Sequence, residues 1–114
     1  MKKQIEFKNG TIKHLQEYIA DKIKERGFED ETIQERLLLL SEEVGELIHG
    51  CRKITGMNID KNREIMSNIG EEIADVINMV FAVGIKTGLN IEKEFLAKEQ
   101  GVDKRFYERP KEKI

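Results

Sequence analysis

The stretch Thr32-IQERLLLLSEEVGELIHGCRKIT-Gly56 decides how this chain folds. Thr32 and Glu35 stand in capping-box spacing. Ile33, Leu37, Leu40, Val44, Leu47, Cys51 and Ile54 then recur at steps of three and four, the signature of one apolar helix face. Thr55-Gly56 supplies the stop. A long helix is predicted here, and inside it SEEVGE sets three carboxylates among six residues directly after four leucines.

Working outward, Asn9-Gly10-Thr11 reads as a turn and N-cap for a first helix carrying Ile12, Leu15, Ile19 and Ile23, stopped near Gly27. Downstream, Asp60 or Asn62 is the predicted cap of a third helix that carries Ile65, Ile69, Ile73, Val76, Ile77, Val80 and Val83 and ends at Thr87-Gly88. A short fourth helix is expected from Ile91, capped by Asn90, to about Glu99. Gly101 then separates it from a basic, partly flexible tail. No alternating strand pattern and no low-complexity linker interrupts the series. The expected fold is an all-α bundle of four to five helices forming a single domain over residues 1–114. In the third helix the apolar positions sweep an arc of roughly 160° to 200°. An arc that wide implies contacts on two sides, so the core is expected to be completed in a homodimer or homotetramer.

Composition narrows the partners. Charged residues are 37 % of the 114, divided into 20 basic and 22 acidic for a net charge of −2. So even a balance offers no broad field for nucleic acid or an anionic membrane. The amino terminus MKKQIEFKNG lacks the apolar segment of a secretory signal, and the Leu37–Leu40 run is far too short to span a bilayer. A cytoplasmic location is the expectation. Cys51 is the single cysteine; with no zinc-type spacing around it, it is expected to be a buried small apolar residue.

Helical-wheel arithmetic locates the acids. With Leu40 at zero, Glu43 falls near −60° and Glu46 near −120°, while Val44, Leu47 and Cys51 lie between about −20° and +40°. With Ile69 at zero, Glu72 falls near −60° and Asp75 near −120°. Two helices therefore hold a carboxylate couple at the same offset from their apolar seams, whereas Glu42 and Glu71, near 200°, face outward. Antiparallel packing would bring Glu43, Glu46, Glu72 and Asp75 into one cleft. Bare, that cluster is unfavourable, because like charges and dehydration both oppose ionisation. A divalent cation resolves the conflict. Oxygen-only ligands suit Mg²⁺, with Mn²⁺ as an alternative. A di-iron bundle would need Glu-x-x-His twice, and Glu46-Leu-Ile-His49 supplies it once. His49 is expected at the surface or the cleft edge.

Leu40-Ser-Glu-Glu-Val-Gly-Glu-Leu47 followed by Gly70-Glu-Glu-Ile-Ala-Asp-Val-Ile77 resembles the EExxE and ExxD motifs of the MazG-like, all-α nucleoside triphosphate pyrophosphatases. The resemblance is close over about Leu37 to Phe81 and looser in the tail, where Lys98, Lys104 and Arg105 look like trailing basic residues. It implies Mg²⁺-dependent hydrolysis of a nucleoside or deoxynucleoside triphosphate to the monophosphate and pyrophosphate, in the manner of nucleotide-pool house-cleaning. Glu43, Glu46, Glu72 and Asp75 would be metal ligands and catalytic groups, and Glu42 a candidate base or supporting residue. Asn78, Lys53, Lys86, Lys98 and Arg105 are the candidates for contacting substrate. Phe28 and Tyr18 are candidates for stacking on the base, with the first helix as a lid. Many members carry an aromatic residue one turn after the ExxD aspartate; this chain has Asn78-Met79 there. The competing expectation is a non-catalytic interaction or regulatory bundle whose acids are solvated.

Overall fold

A computed structural model describes residues 11–58 and 68–108 of the chain. Within them the architecture is four helices and no strand: α1 Ile12–Glu25, α2 Ile33–Ile54, α3 Ile69–Lys86 and α4 Ile91–Asp103.

Local chemistry sets the ends. Thr11 caps α1 by accepting from the His14 amide through its hydroxyl, and the Thr32–Glu35 capping box opens α2 with both reciprocal bonds present. The box holds the Glu35 carboxyl below its ordinary range, chiefly through the Thr32 amide and then through its hydroxyl. Gly27 and Gly88 stop α1 and α3 with φ of 79° and 74°, a region in which a β-carbon is strained. At the first stop the Phe28 amide donates to Ile23 O at 2.9 Å, closing a Schellman turn.

Two predicted boundaries are corrected. Asn68, in extended conformation (φ −95°, ψ 121°), caps α3, so the helix bearing Glu72 starts at Ile69. Asp60, Asn62 and Ile65 themselves lie outside the described residues. At the other end α4 continues through Gly101 to Asp103, and the tail does not begin at 101. An interior glycine weakens a helix by about 1 kcal/mol, which does not by itself break it.

Helices α2 and α3 form an antiparallel pair. Arg36 near the start of α2 meets Ala82 near the end of α3, and Glu43 meets Asp75 further along. Helix α1 packs on α3 and reaches the start of α4. Gln16 makes that second link by donating to Leu89 O at 2.9 Å and accepting from the Ile91 amide at 3.0 Å. Among the described residues only Ile19 (3 % exposed) and Ala82 (6 %) are fully sequestered apolar side chains. Arg36 is buried with them at 2 % exposure. Its guanidinium donates to Ala82 O at 2.6 Å and Phe28 O at 3.2 Å, which ties the α1–α2 turn to α3.

Candidate metal centre

The capping box fixes the start of α2 and therefore which of its residues turn toward α3. Arg36, Glu43, Leu47 and Gly50 do so at steps of seven, four and three. On the facing helix, Asn68 Oδ1 accepts from the Gly70 amide at 2.8 Å and the Glu71 amide at 3.4 Å. Glu72 is thus in the first turn of α3, where unpaired amides and the helix dipole favour a negative charge. A helix begun at Asp60 or Asn62 would have put Glu72 in its middle; the Asn68 cap puts it in the first turn.

Glu43, Glu72 and Asp75 converge. Each offers one carboxylate oxygen, and these oxygens all lie within 4.8 Å of one another. Glu43 and Glu72 are half-buried and Asp75 is exposed. No basic side chain pairs with any of the three among the described residues, where the ion pair is Lys22–Glu25 at 3.1 Å. Dehydration comes first among the causes that raise the Glu43 carboxyl, followed by the charges of Asp75, Glu72, Glu42 and Glu46. Glu72 is raised by dehydration and then by Asp75, Glu46 and Glu71. Glu46 therefore shares the field of the cluster without belonging to its tight triad.

The donor set fits a hard divalent cation. Neighbouring oxygens around Mg²⁺ at 2.0–2.1 Å lie roughly 2.9 Å apart and opposite ones roughly 4.2 Å, so the three carboxylates would draw together onto one ion and leave positions for water or phosphate. Such an ion would neutralise charges that nothing else in the described chain balances.

Beside the triad opens a cleft of about 190 Å³ between α1 and α3. Glu43 and Asp75 line it together with Lys22 of α1, Arg26 at the cap of that helix, and Phe28 and Glu31 of the following turn. Ile19, Met79 and Ala82 give it an apolar lining, and Asn78 adds an amide. The Asn78 Nδ2 donates to Ala74 O at 3.1 Å, leaving its oxygen to accept.

The other predicted contacts do not gather here. Lys86 donates to Glu29 O at 3.4 Å, and Lys53, Lys98 and Arg105 do not line the cleft. Glu42 is exposed, and Tyr18 is half-buried outside the cleft with the Lys22 ammonium 5.8 Å from its ring centre. His49 is half-buried, and its Nε2 is shielded without a partner among the described residues. Cys51, expected in the core, is exposed, because its side of α2 turns away from α3. Lys22, Arg26 and Arg36 were not singled out in the sequence. The first two share the i, i+4 spacing of Ile19 and Ile23 on α1, a signal that becomes meaningful only once α1 is known to face Asp75.

No family model, curated protein or solved structure matches this chain.

Proposed function

We propose that this protein is a Mg²⁺-dependent nucleoside triphosphate pyrophosphohydrolase of the MazG-like kind, releasing pyrophosphate and a monophosphate. The observation that carries the reading is the Glu43–Glu72–Asp75 triad, with oxygens within 4.8 Å and no basic partner among the described residues, at a cleft lined also by Lys22, Arg26, Glu31 and apolar side chains. A triphosphate brings about four negative charges, so an acidic site can hold it only through cations and flanking bases. Lys22 and Arg26 are the flanking bases on this cleft, and Phe28, Ile19 and Met79 give a heterocycle an apolar place to lie.

When bound, the cation would lower the pKa of a coordinated water and offset charge on the departing pyrophosphate. The chain's own part is distinct. Glu43, Glu72 and Asp75 would hold the ion, and Glu46, one turn from Glu43, extends the negative edge toward Glu72. One carboxylate of the cluster, or Glu42 beside it, would orient or deprotonate the attacking water. The reading belongs with a cytoplasmic nucleotide pool, a homodimer or homotetramer, and neither nucleic acid nor membrane as partner. No described helix is long and apolar enough to cross a membrane.

The test is a panel of standard and modified triphosphates with Mg²⁺ or Mn²⁺, scored by pyrophosphate. Glu72→Gln and Asp75→Asn should each lower release by more than about 100-fold while the helical signal is kept, beyond the usual effect of losing an outer partner of a metal ligand. If wild-type protein takes up neither ion by calorimetry with nucleotide present, the interaction-bundle alternative replaces this reading.

A further inference from the structure

Among the described residues Arg36 is the charged side chain that is buried, and no step of the proposed chemistry uses it. A guanidinium stays charged at every ordinary pH, so its burial has to be matched by acceptors. Here the acceptors are two backbone carbonyls on different elements. Nη1 donates to Ala82 O of α3 and Nη2 to Phe28 O of the α1–α2 turn. Both of those residues line the cleft beside the triad, while Arg36 does not. One side chain, rooted in a third helix, thus grips each wall of the cleft from behind.

The turn has little else to hold it. Residues 26–30 are all exposed, and the Phe28 ring gains its place from its backbone rather than from a core. Its amide donates to Ile23 O at 2.9 Å, and its carbonyl accepts from Arg36 and, at 3.2 Å, from the Glu31 amide. Lys86, one turn beyond Ala82 on α3, adds a tie to Glu29 O, but that bond is exposed, whereas the bond from Arg36 to Ala82 is buried. A charged donor bonds most strongly where water is excluded. The guanidinium is also a rigid planar fork, so it holds the two carbonyls at a fixed spacing. The capping box fixes the direction of that fork, since Arg36 directly follows Glu35 and its own amide donates to Thr32 O at 3.0 Å.

We propose that Arg36 is a positioning residue for the substrate: it sets the spacing between Phe28 and the α3 wall, so that the base of the nucleotide fits between them. The triphosphate end is left to the triad and its cation. A flat heterocycle touched on both faces needs walls about 7 Å apart, twice a van der Waals contact of roughly 3.5 Å. A slot about 1 Å wider gives up on the order of half the attraction of one face. The proposal rests on the pyrophosphohydrolase reading for the identity of the ligand, and adds to it the residue that sets affinity for the base.

Arg36→Met keeps the volume and removes both donors. With saturating Mg²⁺, its KM for the best triphosphate of the panel should rise about tenfold, the size of a lost base–aromatic stack. Its kcat, and the inhibition constant of inorganic tripolyphosphate, which has no base, should stay within about twofold of wild type. An unchanged KM, or a rise that tripolyphosphate shares equally, overturns the proposal. Should Arg36→Met fail to fold, Arg36→Lys keeps the cation without the planar fork and should split the two constants in the same way; wild-type values there overturn it. Phe28 supplies a readout that needs no turnover. In protein carrying fluorophenylalanine, the fluorine resonance missing from Phe28→Leu belongs to this ring, and the Arg36 variant should shift it; an unmoved resonance overturns the proposal whatever the kinetics. Wild-type protein that hydrolyses no triphosphate defeats the pyrophosphohydrolase reading instead, and with it the base as occupant, while a shifted Phe28 resonance would still uphold Arg36 as the residue that places the wall.

Discussion

Glu72 shows how one residue reports on the state of the site. Its carboxyl, like that of Glu43, is raised by dehydration and by neighbouring acids, so the folded chain binds more protons than the unfolded one across the carboxylate range. Stability contributed by these groups is therefore present at low pH and lost as pH climbs through that range, about 4 to 5 for ordinary glutamates. Glu35 runs the other way: its lowered value gives stability at neutral pH that is lost on acidification. The two signs separate by mutation. Without metal, Glu72→Gln should melt above wild type at pH 7, with the gap closing near pH 4. With Mg²⁺ at pH 7 the order should reverse, because only wild type gains from the ion. Melting curves at both pH values check this. Arg36 makes a different residue-scale point. It is buried with Nε unpartnered and no carboxylate beside it, yet the Phe28 carbonyl it binds also accepts from the Glu31 amide. Volume should then matter more than charge: Arg36→Ala should destabilise by about 2–4 kcal/mol through the void it leaves. Arg36→Met, close in size, should lose less than about 1.5 kcal/mol by urea denaturation.

Among the elements, α2 and α3 were legible from spacing alone, down to the Thr32–Glu35 box and the Thr55 and Thr87 ends. The start of α3 was not, because Asp60, Asn62 and Asn68 are equally competent caps and spacing does not rank them. Glycines inside helices divide by surroundings that the sequence does not display. A β-carbon at Gly45 meets nothing within 4 Å, whereas one at Gly84 would stand 2.8 Å from Ile91 Cδ1 and 2.9 Å from its Cγ1. Gly45→Ala should accordingly stabilise α2 by about 0.5–1 kcal/mol, the helix-propensity gain. Gly84→Ala should lose about 1–3 kcal/mol to overpacking against the first residue of α4, more than that gain returns. Paired chemical denaturations distinguish the two, and equal effects would mean that the Ile91 side chain does not stand against Gly84.

At the scale of the whole molecule, the proposed homo-oligomer predicts that stability depends on concentration, the described residues having so small an internal core. Raising protein tenfold should move the melting temperature upward by a few degrees; a constant value with a monomer mass would mean that the described helices suffice alone. The sequence by itself determined the all-helical architecture, the order of helices, and the phase of each acid couple relative to its seam, because helix periodicity ties spacing to azimuth. Tertiary structure decided what periodicity leaves open: which helix faces which, that three of the four acids close to within 4.8 Å while Glu46 stands off, and that Lys22 and Arg26 rather than Lys53 or Arg105 border the cleft. An azimuth is a property of one helix, whereas a distance between two side chains depends on how the helices meet, and that is fixed by contacts such as Arg36 with Ala82 that no local spacing encodes.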